Sequence, residues 1–173
     1  MTVVIAIDES KNAAAIIIAN YEDLPKLKKE FSKIKHFREA KRNRESYLKN
    51  EFKPKLEKAI RKYYLKPRYY AKINHYFWED VEYYVHFGLE IIVDDKLWQA
   101  VVDRFGDMQI SIIKRRYQSS YRKVKTKTME SSKRKNAIKQ TKIEKELEYY
   151  LQRKILITIA DNYVNLRRRG LKH

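Results

Sequence analysis

The sequence predicts a mixed α/β fold, in which helices flank a single sheet of strands. Short runs rich in Val and Ile alternate with longer segments whose apolar residues recur at helical spacing. Their order, β-β-α-(β)-α-α-β-α-β-α, is that of a layered α/β domain and excludes a bundle of helices alone. With 173 residues, the chain is predicted to form one domain, 1–173, that buries a sizeable core.

The first two strands are predicted to form a hairpin. Residues 3–7 and 13–19 are almost continuously apolar, as expected of strands buried on both faces. Only a short polar stretch separates them, with Lys11 and Asn12 at the tight turn. Two strands joined by so short a turn run antiparallel.

A helix is predicted to follow the hairpin. Asp23 is placed to cap it, and the apolar residues between 24 and 34 recur at helical spacing. The next segment, 36–46, fits either a continuation of this helix or a short strand with Phe37 and Glu39 on one face.

The middle of the chain is predicted to alternate between helices and strands. One helix begins at Pro54 and ends near Pro67, because proline disfavours helical backbone in the residue before it. The other predicted elements are an aromatic-rich helix at 69–84, a strand at 89–93 that ends on two acids, a helix at 95–105 and a strand around 108–112.

The C-terminal part begins with a strongly basic tract, residues 117–142, that contains few apolar side chains. Such a tract is predicted to be a mobile loop or hairpin. Residues 143–169 have the pattern of a long helix, and Gly170 is placed to end it.

The charge of the chain predicts a polyanionic partner. The sequence has 40 Lys and Arg residues against 22 Asp and Glu, a formal net charge of +18. Nucleic acid, DNA or RNA, is favoured over a membrane surface, because no Lys-flanked lipophilic helix is present that would embed itself. No apolar stretch approaches the roughly 20 residues of a membrane span. The absence of cysteine excludes disulfides and thiolate zinc sites and is typical of a cytoplasmic protein. The abundance of Lys, Glu, Ile and Tyr resembles a thermophile's composition.

Three acidic positions predict a metal site. Asp8 follows the first strand, Asp94 and Asp95 follow the strand at 89–93, and Asp161 lies at the margin of the apolar face of the last helix, beside Asn165. Carboxylates brought together from separate elements repel one another, and Mg²⁺ or Mn²⁺, which prefer oxygen ligands, relieve that repulsion. The alternative is that each acid is a turn, cap or surface residue. Asp94 is favoured over Asp95 as a ligand, because Asp95 is well placed to cap the helix that follows.

Three short motifs carry a resemblance to a known family. IAIDES at 5–10, LEIIVDD at 89–95 and ILITIADNYVNLRRR at 155–169 resemble the first strand, the middle acidic strand and the closing helix of the domain of unknown function 3800 family. That family is similar to RNase H-like nucleases, so the resemblance implies an RNase H-like mixed sheet with flanking helices. The chain departs from the family pattern at Lys11, where glycine is usual, and at Ile157, where glutamine is usual.

The resemblance also implies a set of site residues. RNase H-like nucleases hold two metal ions with carboxylates on the first strand, a middle strand and the last helix. Carried onto this chain, the catalytic, metal-binding carboxylates are Asp8, Asp94 (or Asp95) and Asp161. Glu39 is implied as a fourth ligand, because FREAK resembles the acidic third element of the family.

Basic residues beside aromatic ones are the predicted contacts with nucleic acid. In residues 61–72 aromatics alternate with cations, which suits the stacking of bases, although paired tyrosines also pack in cores. A second group lies in residues 114–142. The predicted contacts are Arg61, Lys62, Arg68, Lys72, Arg115, Arg116, Arg122, Lys123, Lys125, Lys133, Arg134 and Lys135.

The sequence therefore predicts a metal-dependent nuclease that cleaves phosphodiesters with the help of Mg or Mn ions. The four histidines lack zinc-site spacing, and the three glycines form no phosphate-binding loop. The main alternative is a non-catalytic nucleic-acid-binding protein that keeps the same fold. A third is an assembly protein that uses its aromatic helices as an interface.

Overall fold

The structure is a computed structural model that describes residues 2–108, 110–114 and 137–171. Its strands are β1 (Val3–Ser10), β2 (Ala13–Asn20), β3 (Lys66–Tyr70), β4 (Gly88–Val93) and β5 (Ser111–Lys114). Its helices are α1 (Leu24–Glu30), α2 (Arg44–Tyr47), α3 (Lys53–Tyr63), α4 (His75–Val85), α5 (Asp95–Phe105) and α6 (Ala137–Arg168). A π-helical turn, Leu48–Phe52, joins α2 to α3, and Phe37–Glu39 forms a 3₁₀ turn.

The five strands form one mixed sheet with the order β3-β2-β1-β4-β5. β2 is antiparallel to β1 and β3, whereas β4 is parallel to β1 and β5. The prediction that 3–7, 13–19 and 89–93 are strands of one sheet is confirmed. Ile7 lies opposite Val93, so the carboxyl ends of β1 and β4 meet at one edge of the sheet.

The hairpin between β1 and β2 has the predicted two-residue turn. Lys11 and Asn12 both have positive φ, 50° and 68°, as a type I′ turn requires, and the backbone N–H of Asn12 donates to Glu9 Oε1 at 2.8 Å. The left-handed backbone at Lys11 explains why glycine would suit this position. β1 is longer than predicted, because the ladder with β2 continues to Ser10 opposite Ala13.

The two faces of the sheet carry side chains of different size. On the face that packs against α6, β1 and β2 contribute several alanines, including Ala6, Ala13 and Ala15. On the other face, which packs against α4 and α5, they contribute isoleucines such as Ile5 and Ile16. Small side chains let a helix approach the sheet closely, so α6 can lie across the alanine-rich face, which we call the α6 face.

A buried ion pair joins α6 to β4. The Arg153 Nε and Nη2 atoms donate to the two carboxylate oxygens of Glu90 at 2.9 and 2.8 Å, and the guanidinium lies 3.6 Å from the Tyr149 ring centroid. Burial alone lowers the pKa of Arg153, but the hydrogen bonds and charge of Glu90 outweigh it and raise this pKa above its ordinary value. The charged pair therefore fixes the position of α6 along the sheet.

α6 ends in a Schellman motif at the predicted glycine. The N–H of Gly170 donates to the carbonyl of Arg167, and the N–H of Leu171 donates to that of Leu166, both at 3.0 Å. Gly170 has a φ of 73°, a conformation that glycine adopts without a steric cost. The predicted end of the last helix is confirmed.

Two predictions about the middle of the chain are wrong. Residues 36–46 neither continue α1, which ends at Glu30, nor form a strand: Phe37–Glu39 is a 3₁₀ turn whose Phe37 N–H is bound by Asp161, and α2 begins at Arg44. Residues 69–84 are not one helix: Lys66–Tyr70 adds an edge strand to β2, and α4 begins only after Asn74, whose side chain caps it. Pro67 is compatible with an edge strand and disfavours a helix.

The basic tract at 117–142 falls mostly outside the described residues. Only its last part, from Ala137 onward, is described, and there the backbone already belongs to α6 instead of a loop. No described helix is long and apolar enough to cross a membrane.

The Arg153–Glu90 pair leads to a stability prediction. Arg153→Met leaves the Glu90 carboxylate buried without its countercharge and should lower the free energy of unfolding by about 3–5 kcal/mol. Adding Glu90→Gln in the same chain removes the buried charge and should recover most of this loss. Urea denaturation of the single and double variants measures both effects.

The matched control is Lys28→Met. Lys28 also joins another helix to α6, through Glu148, but both side chains are partly exposed. The expected loss is at most about 1 kcal/mol. Equal losses for Arg153→Met and Lys28→Met would show that the buried pair does not hold α6 in place.

A candidate carboxylate site at the sheet edge

Two buried carboxylates lie at the carboxyl ends of adjacent parallel strands. Asp8 is 1% exposed and shares the α6 face with Ala6, two residues earlier in β1. Asp94 is 8% exposed and follows β4 directly, and its backbone N–H donates to the Ile7 carbonyl at 3.0 Å. Because neighbouring strands are about 4.8 Å apart, the two aspartates are neighbours at this edge.

α6 brings Asp161 to the same end of the sheet. The Ser10 hydroxyl donates to Asn165 Oδ1 at 3.4 Å, which ties the end of β1 to the last turns of α6. Asp161 lies one helical turn before Asn165, and its carbonyl accepts a hydrogen bond from the Asn165 side chain at 2.8 Å. Asp8 lies two residues before Ser10, on the same face of the strand.

The ion pair in the middle of α6 supports this alignment. Glu90, which binds Arg153, lies opposite Val4 in the register of β1 and β4. From Arg153 to Asp161 the helix rises about 12 Å, and from Val4 to Asp8 the strand rises about 13 Å. Asp161 therefore lies at the same end of the sheet as Asp8, where Asn165 contacts Ser10.

Asp161 also anchors the loop between α1 and α2. Its Oδ2 atom accepts the backbone N–H of Phe37 at 2.7 Å and lies 3.4 Å from His36 Nδ1. Among the described residues, no group donates to its other oxygen, Oδ1. Asp161 is 6% exposed, so it is not an ordinary solvated residue of the helix surface.

Two further side chains hold this loop against α6. Asn162 donates to the Lys35 carbonyl at 2.8 Å. The Tyr47 hydroxyl donates to that same carbonyl at 2.9 Å and accepts the Lys35 N–H at 3.0 Å. Burial raises the pKa of Tyr47 to about 12, so this hydroxyl stays protonated at neutral pH.

Arginines surround the loop and the end of α6. The guanidinium groups of Arg44 and Arg169 lie 5.3 and 5.1 Å from the centroid of the Phe37 ring. Arg168 donates to Asn165 Oδ1 at 3.3 Å. We call Arg44, Arg168 and Arg169 the arginine collar. The sequence did not predict that these residues or His36 belong to the site, although the three consecutive arginines at 167–169 indicate a local basic cluster.

Asp94 and Asp95 differ in burial and in their position relative to α5. Asp95 is the first residue of α5 and is exposed, whereas Asp94 occupies the N-cap position and is buried. The prediction that Asp95 caps α5 is wrong, because the residue before it holds that position. The Asp94 side chain makes no capping hydrogen bond to α5. Glu39 is exposed at the end of its 3₁₀ turn, two residues from the Phe37 N–H that Asp161 binds.

The ligands that this edge of the sheet could offer to a metal ion are the carboxylate oxygens of Asp8 and Asp94. Within residues 2–108, 110–114 and 137–171, no three His, Asp or Glu side chains are close enough together to hold one ion. The adjacent carboxylates of Asp8 and Asp94 are hard oxygen ligands of the kind that Mg²⁺ and Mn²⁺ prefer. The donor chemistry therefore fits these ions, with Asp8 and Asp94 as the central pair.

The predicted basic contacts are divided between the two ends of the sheet. Lys72 follows β3 at the edge that carries Asp8, whereas Arg61 and Lys62 lie at the end of α3, near the opposite edge. The Arg68 side chain is hydrogen-bonded to Tyr84, which raises the pKa of Arg68. The predicted contacts that lie outside the described residues are Arg115, Arg116, Arg122, Lys123, Lys125, Lys133, Arg134 and Lys135.

Comparison of the chain with protein-family models, curated proteins and solved structures gives no match. The resemblance described from the three motifs therefore stays an expectation. The geometry of the sheet edge is the basis for the function proposed below.

The buried Tyr47 hydroxyl predicts a loss of stability at alkaline pH. Its pKa of about 12 in the folded chain exceeds the value of about 10 expected after unfolding, so its contribution is complete below pH 10 and is lost as the pH rises to 12. Two pKa units correspond to about 2–3 kcal/mol. Tyr47→Phe should flatten the alkaline decline of the free energy of unfolding, measured by urea denaturation between pH 9 and 12.

Tyr64→Phe is the control for this measurement. Tyr64 is largely exposed, so its replacement should leave the alkaline decline as steep as in the wild type. A decline that is equally steep in Tyr47→Phe would show that the Tyr47 hydroxyl does not hold the loop in the way described.

Proposed function

We propose that this protein is a metal-dependent nuclease with an RNase H-like arrangement of its carboxylates. The observation that carries the proposal is the burial of Asp8 and Asp94 at the adjacent ends of two parallel strands, with Asp161 of α6 at the same end of the sheet. The first strand, a middle strand and the last helix are the three places that the family resemblance implied. The mixed sheet with a helix across one face is compatible with that resemblance.

Asp8 and Asp94 would hold Mg²⁺ or Mn²⁺ as a pair, with Asp161 at the same end of the sheet but not grouped with them around one ion. Bound there, such ions activate water and stabilise the leaving oxygen of a phosphodiester. The chain itself supplies fixed ligands, because the pairing of the two strands positions Asp8 and Asp94. Preorganised ligands of this kind lose less conformational freedom on binding.

The arginine collar would bind the phosphates of the substrate beside the carboxylates. Guanidinium groups form paired hydrogen bonds with phosphate oxygens, and Arg44 and Arg169 are already oriented by the Phe37 ring.

His36 lies against Asp161, with its Nδ1 atom 3.4 Å from the carboxylate. A protonated His36 would donate from Nδ1 to that carboxylate. A neutral His36 ring instead accepts the Arg38 N–H at Nδ1, at 3.4 Å. The net charge of +18 favours encounter with a polyanion.

A non-catalytic nucleic-acid-binding protein is the second candidate. It is favoured by the finding that no three acidic or histidine side chains of the described chain are grouped closely enough for one ion. The basic surface would serve either function equally well, so binding alone does not separate them. Measurements of metal binding and of cleavage distinguish the two functions.

The proposal predicts a metal response that depends on Asp8. Mg²⁺ or Mn²⁺ should raise the Tm of the wild type, because a ligand that binds only the folded state adds about 2.7 kcal/mol of stability at a hundred times its Kd. Asp8→Asn keeps the size of the side chain but removes the charge, and it should abolish both this shift and the cleavage of oligonucleotides. Differential scanning calorimetry and a gel cleavage assay measure the two effects.

Asp95→Asn provides the matched control, since Asp95 is adjacent in sequence to Asp94 but exposed. It should keep the metal response and the cleavage of the wild type. Identical metal responses in the wild type and Asp8→Asn would exclude Asp8 as a ligand. A wild type that binds oligonucleotides but never cleaves them with either metal would favour the second candidate.

A further inference from the structure

A cleft of about 880 Å³ opens between α1 and α3, away from the carboxylates. Asn20, which lines it, pairs with Val3 at the amino end of β1. Val3 and Asp8 are five residue steps apart along the strand, a distance of about 17 Å. The cleft is thus a separate feature at the opposite edge of the sheet.

Positive charge dominates the lining of the cleft. Five lysines and two carboxylates face it, an excess of three positive charges; the lysines are Lys26, Lys29, Lys33, Lys55 and Lys62. Both carboxylates already have cationic partners, because Asp23 binds Lys26 and Glu30 binds Lys58, each at 2.9 Å. In the part of the chain that the structure describes, no ion pair engages Lys29, Lys33 or Lys55. These ammonium groups are therefore available to an anionic ligand.

An exposed aromatic ring on an unfavourable backbone lies at the same cleft. Tyr64 ends α3 with φ 53° and ψ 31°, the left-handed conformation that glycine usually adopts at a helix end. It lines the cleft and is 74% exposed, so burial of the ring does not offset the backbone strain. Strain of this kind persists at functional sites. An exposed ring beside lysines offers a stacking surface for a base.

We propose that this cleft binds a single-stranded segment of nucleic acid, with a base stacked on Tyr64 and the phosphates contacted by Lys29, Lys33 and Lys55. The inference rests on the proposed function only in taking nucleic acid as the ligand. Lysines on two separate elements can contact successive phosphates of a flexible strand, and the Tyr64 ring can stack on any base. We therefore expect binding that does not depend on the nucleotide sequence. The cleft thus holds a stretch of the strand remote from the carboxylates.

The test measures binding of a single-stranded oligonucleotide that carries 2-aminopurine, by fluorescence, to the full chain in EDTA. Loss of one stacked base corresponds to roughly a 5- to 150-fold loss of affinity, and Tyr64→Ala should show a loss in this range. Tyr64→Phe keeps the ring and should keep the affinity. Tyr64→Gly should raise the Tm by relieving the backbone strain and still lose affinity, which separates binding from folding.

The lysines are tested through the dependence on salt. Replacing Lys29, Lys33 and Lys55 together with Gln should reduce the slope of log affinity against log salt by about two, at roughly 0.7 for each phosphate contact of a single strand. The matched control replaces Lys41, Lys49 and Lys96, which do not line the cleft, and should leave the slope within about 0.5 of the wild type.

Unchanged affinity in Tyr64→Ala, or an unchanged slope in the triple variant, would overturn the inference. Displacement of the oligonucleotide by poly-glutamate of equal charge at equal concentration would also overturn it, in favour of an acidic protein partner. Because EDTA removes divalent metals, the experiment is independent of cleavage. Failure of the proposed nuclease would appear as absent cleavage with the cleft variants still defective in binding.

Discussion

The close packing of α6 against the alanine-rich face of the sheet is the constraint on which the rest of the structure depends. Alanines on β1 and β2 leave room for the helix, and two polar contacts fix its position along the strands. Arg153 holds it to Glu90 near one end of the sheet, and Asn165 meets Ser10 at the other. These two contacts fix the alignment of the helix, and Asp161 lies at the same end of the sheet as Asp8.

The candidate site is a consequence of this packing and of one pair of strands. Parallel pairing of β1 and β4 makes Asp8 and Asp94 neighbours, and burying two carboxylates side by side is unfavourable unless cations or hydrogen bonds compensate them. Asp161 receives such a bond from the Phe37 N–H, which also anchors the loop that carries part of the arginine collar. Stability and the proposed chemistry therefore depend on the same polar groups.

Local patterns in the sequence predicted the elements whose formation depends on local chemistry. The hairpin turn at Lys11, the strand before Asp94 and the helix end at Gly170 each follow from residue type and spacing, and each is present. The 3₁₀ turn at Phe37–Glu39 and the edge strand Lys66–Tyr70 were missed, because a distant carboxylate holds one and pairing with β2 defines the other. For the same reason the sequence indicated the three aspartates proposed as site residues but not the arginine collar, whose members meet only in the folded chain.

The central claim is that Asp8 and Asp94 together bind a divalent cation at the edge of the sheet. A crystal structure of the protein grown with Mn²⁺, with anomalous diffraction recorded near the manganese edge, tests it most directly. We expect an anomalous peak from a Mn²⁺ ion that is bound by oxygens of both carboxylates. A structure in which Mn²⁺ is bound elsewhere, or in which the two side chains point away from each other at saturating Mn²⁺, would contradict it.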